Sequence, residues 1–270
     1  MDMRDVEARG LVLLGCGKMG SAMLAGWLEG GLPASSVWVR DPLPSEWVQG
    51  LQGLHLNEAL PTAPAIVLVA VKPQMMTEAL PTLAAMGEGE TLFLSVAAGV
   101  TLNSYEKMLG AKTPIIRAMP NTPAAVGKGV TAIIGNGAAS GAHLDMASAL
   151  LSAVGQVVRL ESEAQMGAVT AISGCGPAYV FHLIEAMASA GTNAGLNPDL
   201  ALTLARATVA GAGALAEGSD ETPTQLRINV TSPKGVTAEA LGVLMNEADG
   251  FAPLMERAVA AAIKRNEELS

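Results

Sequence analysis

Aromatic side chains are scarce. They make up 3% of 270 residues, although half of the chain is hydrophobic. The core is therefore expected to be aliphatic, filled by Ala, Val, Leu, Ile and the 14 methionines. Cysteine is nearly absent, with only Cys16 and Cys175. Two thiols build no disulfide framework, and a cytoplasmic protein is expected. Cys16 reads as a small turn residue and Cys175 as a small helix-packing residue, since neither has a histidine nearby in sequence. His55, His143 and His182 are scattered. They offer no acid–base dyad, and no cluster with metal-ligand spacing accompanies them, so no metal site is expected. Long apolar runs are also missing. Gly, Pro or charge interrupts the Ala-rich stretches, so no membrane partner is expected. The short, charged N-terminus does not read as a signal peptide. Basic residues are outnumbered 16 to 25, for a net charge of −9. That excess argues against nucleic acid as a partner, while leaving room for a local pocket that takes an anion.

What is present starts with Gly15-Cys16-Gly17-Lys18-Met19-Gly20. The run Leu11-Val12-Leu13-Leu14 before it reads as a buried parallel strand, and the residues from Ser21 to Leu28 read as a helix with an apolar face. Strand, glycine turn and helix form the context of a dinucleotide-binding site. In such a site Gly15 permits the tight turn, Gly17 lets a pyrophosphate approach the backbone, and Gly20 lets helix and strand pack closely. The first-turn amides and the helix dipole suit an anion. The six turn residues are the first candidate cofactor contacts, although the Lys18 side chain by itself reads as solvated.

A second strand, Val37-Trp38-Val39, ends at Arg40-Asp41-Pro42, roughly twenty residues beyond the turn, where a ribose-binding acid is expected. Asp41 suits the adenosine ribose of NAD, whereas Arg40 suits the extra phosphate of NADP. The two residues point to opposite cofactors. Ala65-Ile66-Val67-Leu68-Val69-Ala70-Val71 and Leu92-Phe93-Leu94-Ser95-Val96 read as buried strands. Lys72 stands at a strand end, where an open parallel sheet has its ligand crevice. Residues 115–119, 129–134 and 156–160 complete the strands, and Pro120-Asn121-Thr122-Pro123 reads as a rigid turn. A helix is expected over 138–151. Beyond Glu161 only helices are expected: 176–194, one capped by Asn197-Pro198, a short one at Thr222-Pro223, one introduced by Ser232-Pro233, and a last one capped by Asp249. Residues 178–215 are apolar on more than one face, which suggests burial against a partner subunit.

Several motifs then coincide in one order: the glycine turn, Ala70-Val71-Lys72-Pro73-Gln74, Ser95-Val96-Ala97-Ala98-Gly99-Val100, Arg117-Ala118-Met119-Pro120-Asn121-Thr122-Pro123, Ser173-Gly174-Cys175-Gly176-Pro177-Ala178-Tyr179 and Leu226-Arg227-Ile228-Asn229-Val230-Thr231-Ser232-Pro233. The chain resembles the pyrroline-5-carboxylate reductases over nearly its whole length. The resemblance implies an α/β chain, with a Rossmann-type dinucleotide-binding domain at 1–161 and an all-helical substrate and dimerisation domain at 162–270. It implies reduction of 1-pyrroline-5-carboxylate to L-proline by NADPH, with NADH as the alternative donor, in a homodimer or a larger assembly of dimers. By motif match, Asn57 contacts the adenosine part of the cofactor. Ala70, Val71, Lys72 and Pro73, with Ala97, Ala98 and Gly99, line it. Glu163 and Asn229 reach toward the nicotinamide region, and Gly235, Val236 and Thr237 form the substrate turn, with Thr237 at the reacting nitrogen. The family pattern Ser-Pro-Gly-Gly-x-Thr is Ser232-Pro233-Lys234-Gly235-Val236-Thr237 here. If that first glycine needs a positive φ, Lys234 carries a steric cost.

Two rival readings stand beside this one. A two-domain hydroxyacid dehydrogenase needs a lysine as acid–base group, and Lys234 is the sole lysine between Lys128 and Lys264. A dinucleotide-sensing regulator needs no catalytic group at all.

Overall fold

The computed structural model describes Arg4–Leu269. Eight strands form one sheet: β1 Leu11–Leu14, β2 Val37–Arg40, β3 His55–Leu56, β4 Ile66–Val69, β5 Leu92–Ser95, β6 Ile115–Met119, β7 Gly129–Gly135 and β8 Gly155–Arg159. Their spatial order is β3-β2-β1-β4-β5-β6-β7-β8. Among or beside them lie helices α1 Arg4–Arg9, α2 Lys18–Glu29, α3 Glu46–Gly50, α4 Met76–Ala79, α5 Leu102–Leu109, α6 Gly141–Leu151 and α7 Met166–Val169. The remaining helices are α8 Gly176–Asn193, α9 Pro198–Gly218, α10 Pro223–Asn229, α11 Val236–Leu244 and α12 Phe251–Leu269. The chain divides into two compact units. One takes in the residues up to Gly174 and from Ile263 on, and the other spans Cys175–Ala262.

The central strands β1, β4 and β5 are buried along their whole length because both faces of the sheet are covered there. Leu11, Leu13, Ile66, Leu68, Leu92 and Leu94 join one core cluster. Val12, Leu14, Val67, Val69 and Phe93, their neighbours in sequence, join the other. Chain order reverses at β1, which pairs in parallel with β2 on one side and β4 on the other. That switch point opens a crevice at the carboxyl ends of the strands. The ladder continues past the ends: Gly15 N donates to Arg40 O, Ala70 N to Leu14 O and Val96 N to Val69 O. The residues that follow β1, β2, β4 and β5 are thereby set side by side.

Several expectations differ from the structure. β7 pairs antiparallel with β6. The link from Met119 to Gly129 holds one short 3-10 turn, Thr122–Val126, too little chain for a parallel crossover. Strand β3 was not foreseen, and α1 occupies the N-terminal stretch read only as charged. Helix α6 starts at Gly141, where Ser140 accepts from His143 N. Helix α11 starts at Val236, capped by Gly235, because Pro233 and Lys234 lie in a turn before it.

The helices of the second unit leave their apolar faces open. Helix α8 buries no residue within the chain, and α9 buries only Ala201 and Ala205. Phe181, Leu200, Leu204, Val243 and Leu254 are among the exposed side chains. Residues Glu163–Asn193 and Pro198–Gly218 are long and apolar enough to cross a bilayer by length and composition alone. Neither stretch is an uninterrupted apolar run. Ala, Val, Leu and Ile keep the mean hydropathy positive across interruptions that end a strictly apolar run.

Candidate active site

The glycine turn is shaped by close backbone approach. Gly15 has φ +86°, and a Cβ there would fall 2.9 Å from Val71 Cγ1 and 3.0 Å from Ala70 O. A Cβ on Gly20 would fall 2.6 Å from Gly15 O. Both positions exclude a side chain for reasons internal to the fold. Gly17 differs, because a Cβ built there meets nothing within 4 Å. Its bareness leaves open space in front of α2, whose N-terminus has no side-chain cap. First-turn amides left open in this way fit a pyrophosphate.

Asp41 braces the turn. Its Oδ2 accepts from Cys16 N at 2.6 Å, and its Oδ1 from Leu43 N at 2.8 Å. Asn57, at φ +56°, exchanges two hydrogen bonds with the Asp41 backbone. Arg40 is exposed, and its Nη1 reaches Asn57 O at 3.5 Å. The structure thus brings Gly15 to Gly20, Arg40, Asp41, Asn57 and Ala70-Val71 together at one edge of the sheet. Lys72 and Pro73 are exposed at the start of the turn Pro73–Met75, directly after Val71. Ala97, Ala98 and Gly99 follow β5, with Gly99 at φ +78°. Burial, with the Asp41 charge adding to it, pushes the Cys16 thiol up, while its hydrogen bond with Ser21 works the other way. Cys16 is a neutral turn residue at ordinary pH.

Glu163 opens a 3-10 turn capped by Ser162. Its Oε1 accepts from Arg117 Nη1 at 2.7 Å and from Leu102 N at 2.9 Å. The Arg117 side chain is 6% exposed. The sequence reading missed this pair. The signal was a guanidinium inside the otherwise apolar strand Ile115–Met119, which demands a buried partner.

In the second unit, Asn229 ends α10. Its Oδ1 accepts from Gln225 Nε2 and its Nδ2 donates to Glu221 Oε2, both at 2.8 Å. Lys234 has φ +58°. Gly235 N donates to Ser232 O, and Gly235 O takes the amides of Ala238 and Glu239. Gly235 caps α11 in an extended conformation and supplies no side chain. The amides of Val236 and Thr237 therefore open the helix without a capping group, and both residues are exposed. As for the histidines, His55 stacks on Trp38 and meets Glu58, His143 sits in the α6 cap, and His182 pairs with Glu185. Among the described residues no group of three or more His, Cys, Asp or Glu side chains is arranged to hold a metal ion.

One unit holds an open sheet with a bare glycine turn at its switch point, the other is all-helical with uncovered apolar faces, and together they fit the class of two-unit dinucleotide-dependent oxidoreductases. Residues 11–99 match the family described as NADP oxidoreductase coenzyme F420-dependent, and residues 163–269 match pyrroline-5-carboxylate reductase dimerisation. The chain belongs to the pyrroline-5-carboxylate reductase family. It is 38% identical over 265 residues to the pyrroline-5-carboxylate reductase of Pseudomonas aeruginosa, with 96% of both chains covered. It is 37% identical to that of Pisum sativum, again with 96% of both covered. A solved pyrroline-5-carboxylate reductase from Coxiella burnetii superposes with a TM-score of 0.91 at 32% identity, over 97% of this chain and 98% of that one. The Plasmodium falciparum enzyme, solved with NADP bound, gives 0.82 at 28%, over the same shares. The uncovered faces of α8 and α9 thus belong to a dimerisation domain, which supports self-association.

Proposed function

We propose that this chain reduces the ring imine of 1-pyrroline-5-carboxylate to L-proline, the last step of proline biosynthesis, with NADPH as the favoured donor and NADH as the alternative. The observation that carries the reading is the start of α11, where the amides of Val236 and Thr237 stand uncapped and exposed. A small carboxylate suits such a helix start. Bound NADPH supplies the hydride. Gly15, Cys16, Gly17, Lys18, Met19 and Gly20 hold the pyrophosphate. Arg40 faces the adenosine phosphate, Asn57 contacts the adenosine, and Ala70 to Pro73 with Ala97 to Gly99 line the rest. Asp41 orders the turn by accepting from two backbone amides, which ties its charge to those donors and supports NADPH over NADH. Glu163 completes the cofactor side. Asn229, Gly235, Val236 and Thr237 hold the substrate. The Thr237 hydroxyl bonds the ring nitrogen, and the iminium proton comes from solvent, since no acid–base dyad takes part.

In this reading residues 1–161 bind the dinucleotide, while 162–270 bind substrate and self-associate as homodimers that assemble further. The two free thiols support a cytoplasmic site. The test is oxidation of NADPH and NADH by the purified protein with 1-pyrroline-5-carboxylate, run beside reduction of NADP+ and NAD+ with a panel of hydroxy acids. Turnover of the imine alone is expected. Turnover of a hydroxy acid in its place would make the protein a dehydrogenase, and cofactor binding with no turnover would make it a regulator.

A further inference from the structure

We propose that the hydroxyl of Tyr105 is a positioning group for the loop at 97–99 and sets NADPH affinity through Ser95. Tyr105 is one of only two tyrosines and is 1% exposed. It lies in the apolar cluster with Val12, Val67, Val69 and Phe93. A phenylalanine would fill the same space, and a buried phenol adds a polar group that needs a partner. That partner is Ser95 Oγ, at 2.5 Å. Ser95 is itself 1% exposed and ends β5. The same Oγ accepts from Ala97 N at 3.3 Å. One serine oxygen therefore joins the phenol to the first amide of the loop.

The far side of the loop is held as well. Thr101 caps α5, and Leu102 N donates to Glu163 Oε1. Tyr105 N donates to Thr101 O, so the residue that carries the phenol also belongs to the first turn after the loop. The segment from 97 to 101 is thus strung between two polar anchors, Ser95 with Tyr105 at one end and Glu163 at the other. Burial, partly offset by the Ser95 hydrogen bond and the Arg117 charge, pushes the Tyr105 phenol up. The phenol keeps its proton near neutrality. With Tyr105 and Ser95 both closed off from solvent, neither hydroxyl touches a ligand directly. Their effect passes through the Ala97 amide.

The inference rests on the reading of 97–99 as a cofactor-lining loop, and its test is direct NADPH binding rather than turnover. Tyr105→Phe is expected to raise the NADPH Kd about three- to tenfold, the effect of one buried hydrogen bond. At saturating NADPH, kcat and the KM for the imine are expected to stay within about twofold. Ser95→Ala is expected to do at least as much, and the double variant no more than Ser95→Ala alone, because the two hydroxyls act as one unit. Ser95→Thr, which keeps the hydroxyl, is expected to retain the wild-type Kd. If Tyr105→Phe does not fold, Ser95→Ala against Ser95→Thr carries the same comparison. A wild-type Kd in Tyr105→Phe or Ser95→Ala, with only thermal stability lowered, overturns the proposal. A Gly17→Val control separates the failures. Loss of binding in Gly17→Val but not in Tyr105→Phe refutes this inference alone. An absence of NADPH binding in the wild type refutes it together with the reading beneath it.

Discussion

Arg117 and the backbone amide of Leu102 converge on a single oxygen of Glu163, at 2.7 and 2.9 Å. Strand β6, helix α5 and the segment after β8 are fastened at that point. The guanidinium is almost closed to solvent, whereas the carboxylate is 30% exposed. Removal of the carboxylate leaves a buried cation, which is far more costly than loss of an exposed pair.

Glu163→Ala is therefore expected to destabilise the first unit by about 2–3 kcal/mol, below the full range for buried pairs because one partner is partly solvated. Glu163→Gln keeps an acceptor for Leu102 N and is expected to lose less. Urea unfolding of both variants measures the difference. Equal, small losses would show that Arg117 finds another partner when the carboxylate is gone.

Two glycines of the turn predict different outcomes. Gly17→Val places its side chain in open space, so the fold is expected to be unaffected while NADPH binding is lost. Gly20→Ala drives a methyl toward Gly15 O and is expected to lower stability as well. Circular dichroism melts together with NADPH titrations separate the two effects. Unchanged affinity in a folded Gly17→Val protein would mean that the turn does not hold the pyrophosphate.

That division explains what the sequence could and could not disclose. The glycine turn is a local pattern, and its context of strand and helix is local too, so it reads directly. The buried strands declare themselves because both of their faces are apolar. Asp41 was legible as the residue at the end of β2, but not as an acceptor for Cys16 N, since that contact depends on β1 and β2 lying in register. The antiparallel course of β7 was in principle legible from the short link around Pro120 and Pro123. Arg117 and Tyr105 were not, because each is explained by a partner distant in sequence, Glu163 in one case and Ser95 in the other. The open faces of α8 and α9 were legible from composition, and so was the expectation of a partner subunit against them.

Lys234 occupies a left-handed conformation at φ +58° where the family pattern has glycine. A non-glycine residue there costs on the order of 1 kcal/mol in the folded state. Glycine relieves that strain but loosens the unfolded chain, which offsets part of the gain. Lys234→Gly is expected to stabilise the protein by about 0.5 kcal/mol, read as a small rise in melting temperature. The imine KM is expected to change little, because the uncapped amides lie after position 234. A large rise in KM would assign the lysine side chain to the substrate carboxylate.

Thr237 carries the sharpest prediction. It is the second residue of α11, in the first turn, where threonine also serves helices in general. Here Gly235 is the cap and no side-chain capping bond is made, so the Thr237 hydroxyl is not needed to start the helix. A hydrogen bond from that hydroxyl to a developing amine nitrogen contributes on the order of 1–3 kcal/mol. Each ~1.4 kcal/mol is tenfold in rate. Thr237→Ala is then expected to lower kcat/KM for the imine by roughly ten- to a hundredfold, without abolishing hydride transfer. NADPH affinity is expected to stay near its wild-type value, since the cofactor contacts assigned above lie elsewhere in the chain. Thr237→Ser keeps the hydroxyl and should retain most of the activity. Steady-state kinetics of the two variants at matched thermal stability make the comparison. Equal losses in Ala and Ser, or a loss confined to NADPH binding, would separate this hydroxyl from the substrate nitrogen and leave the carboxylate-binding amides as the sole contribution of the turn.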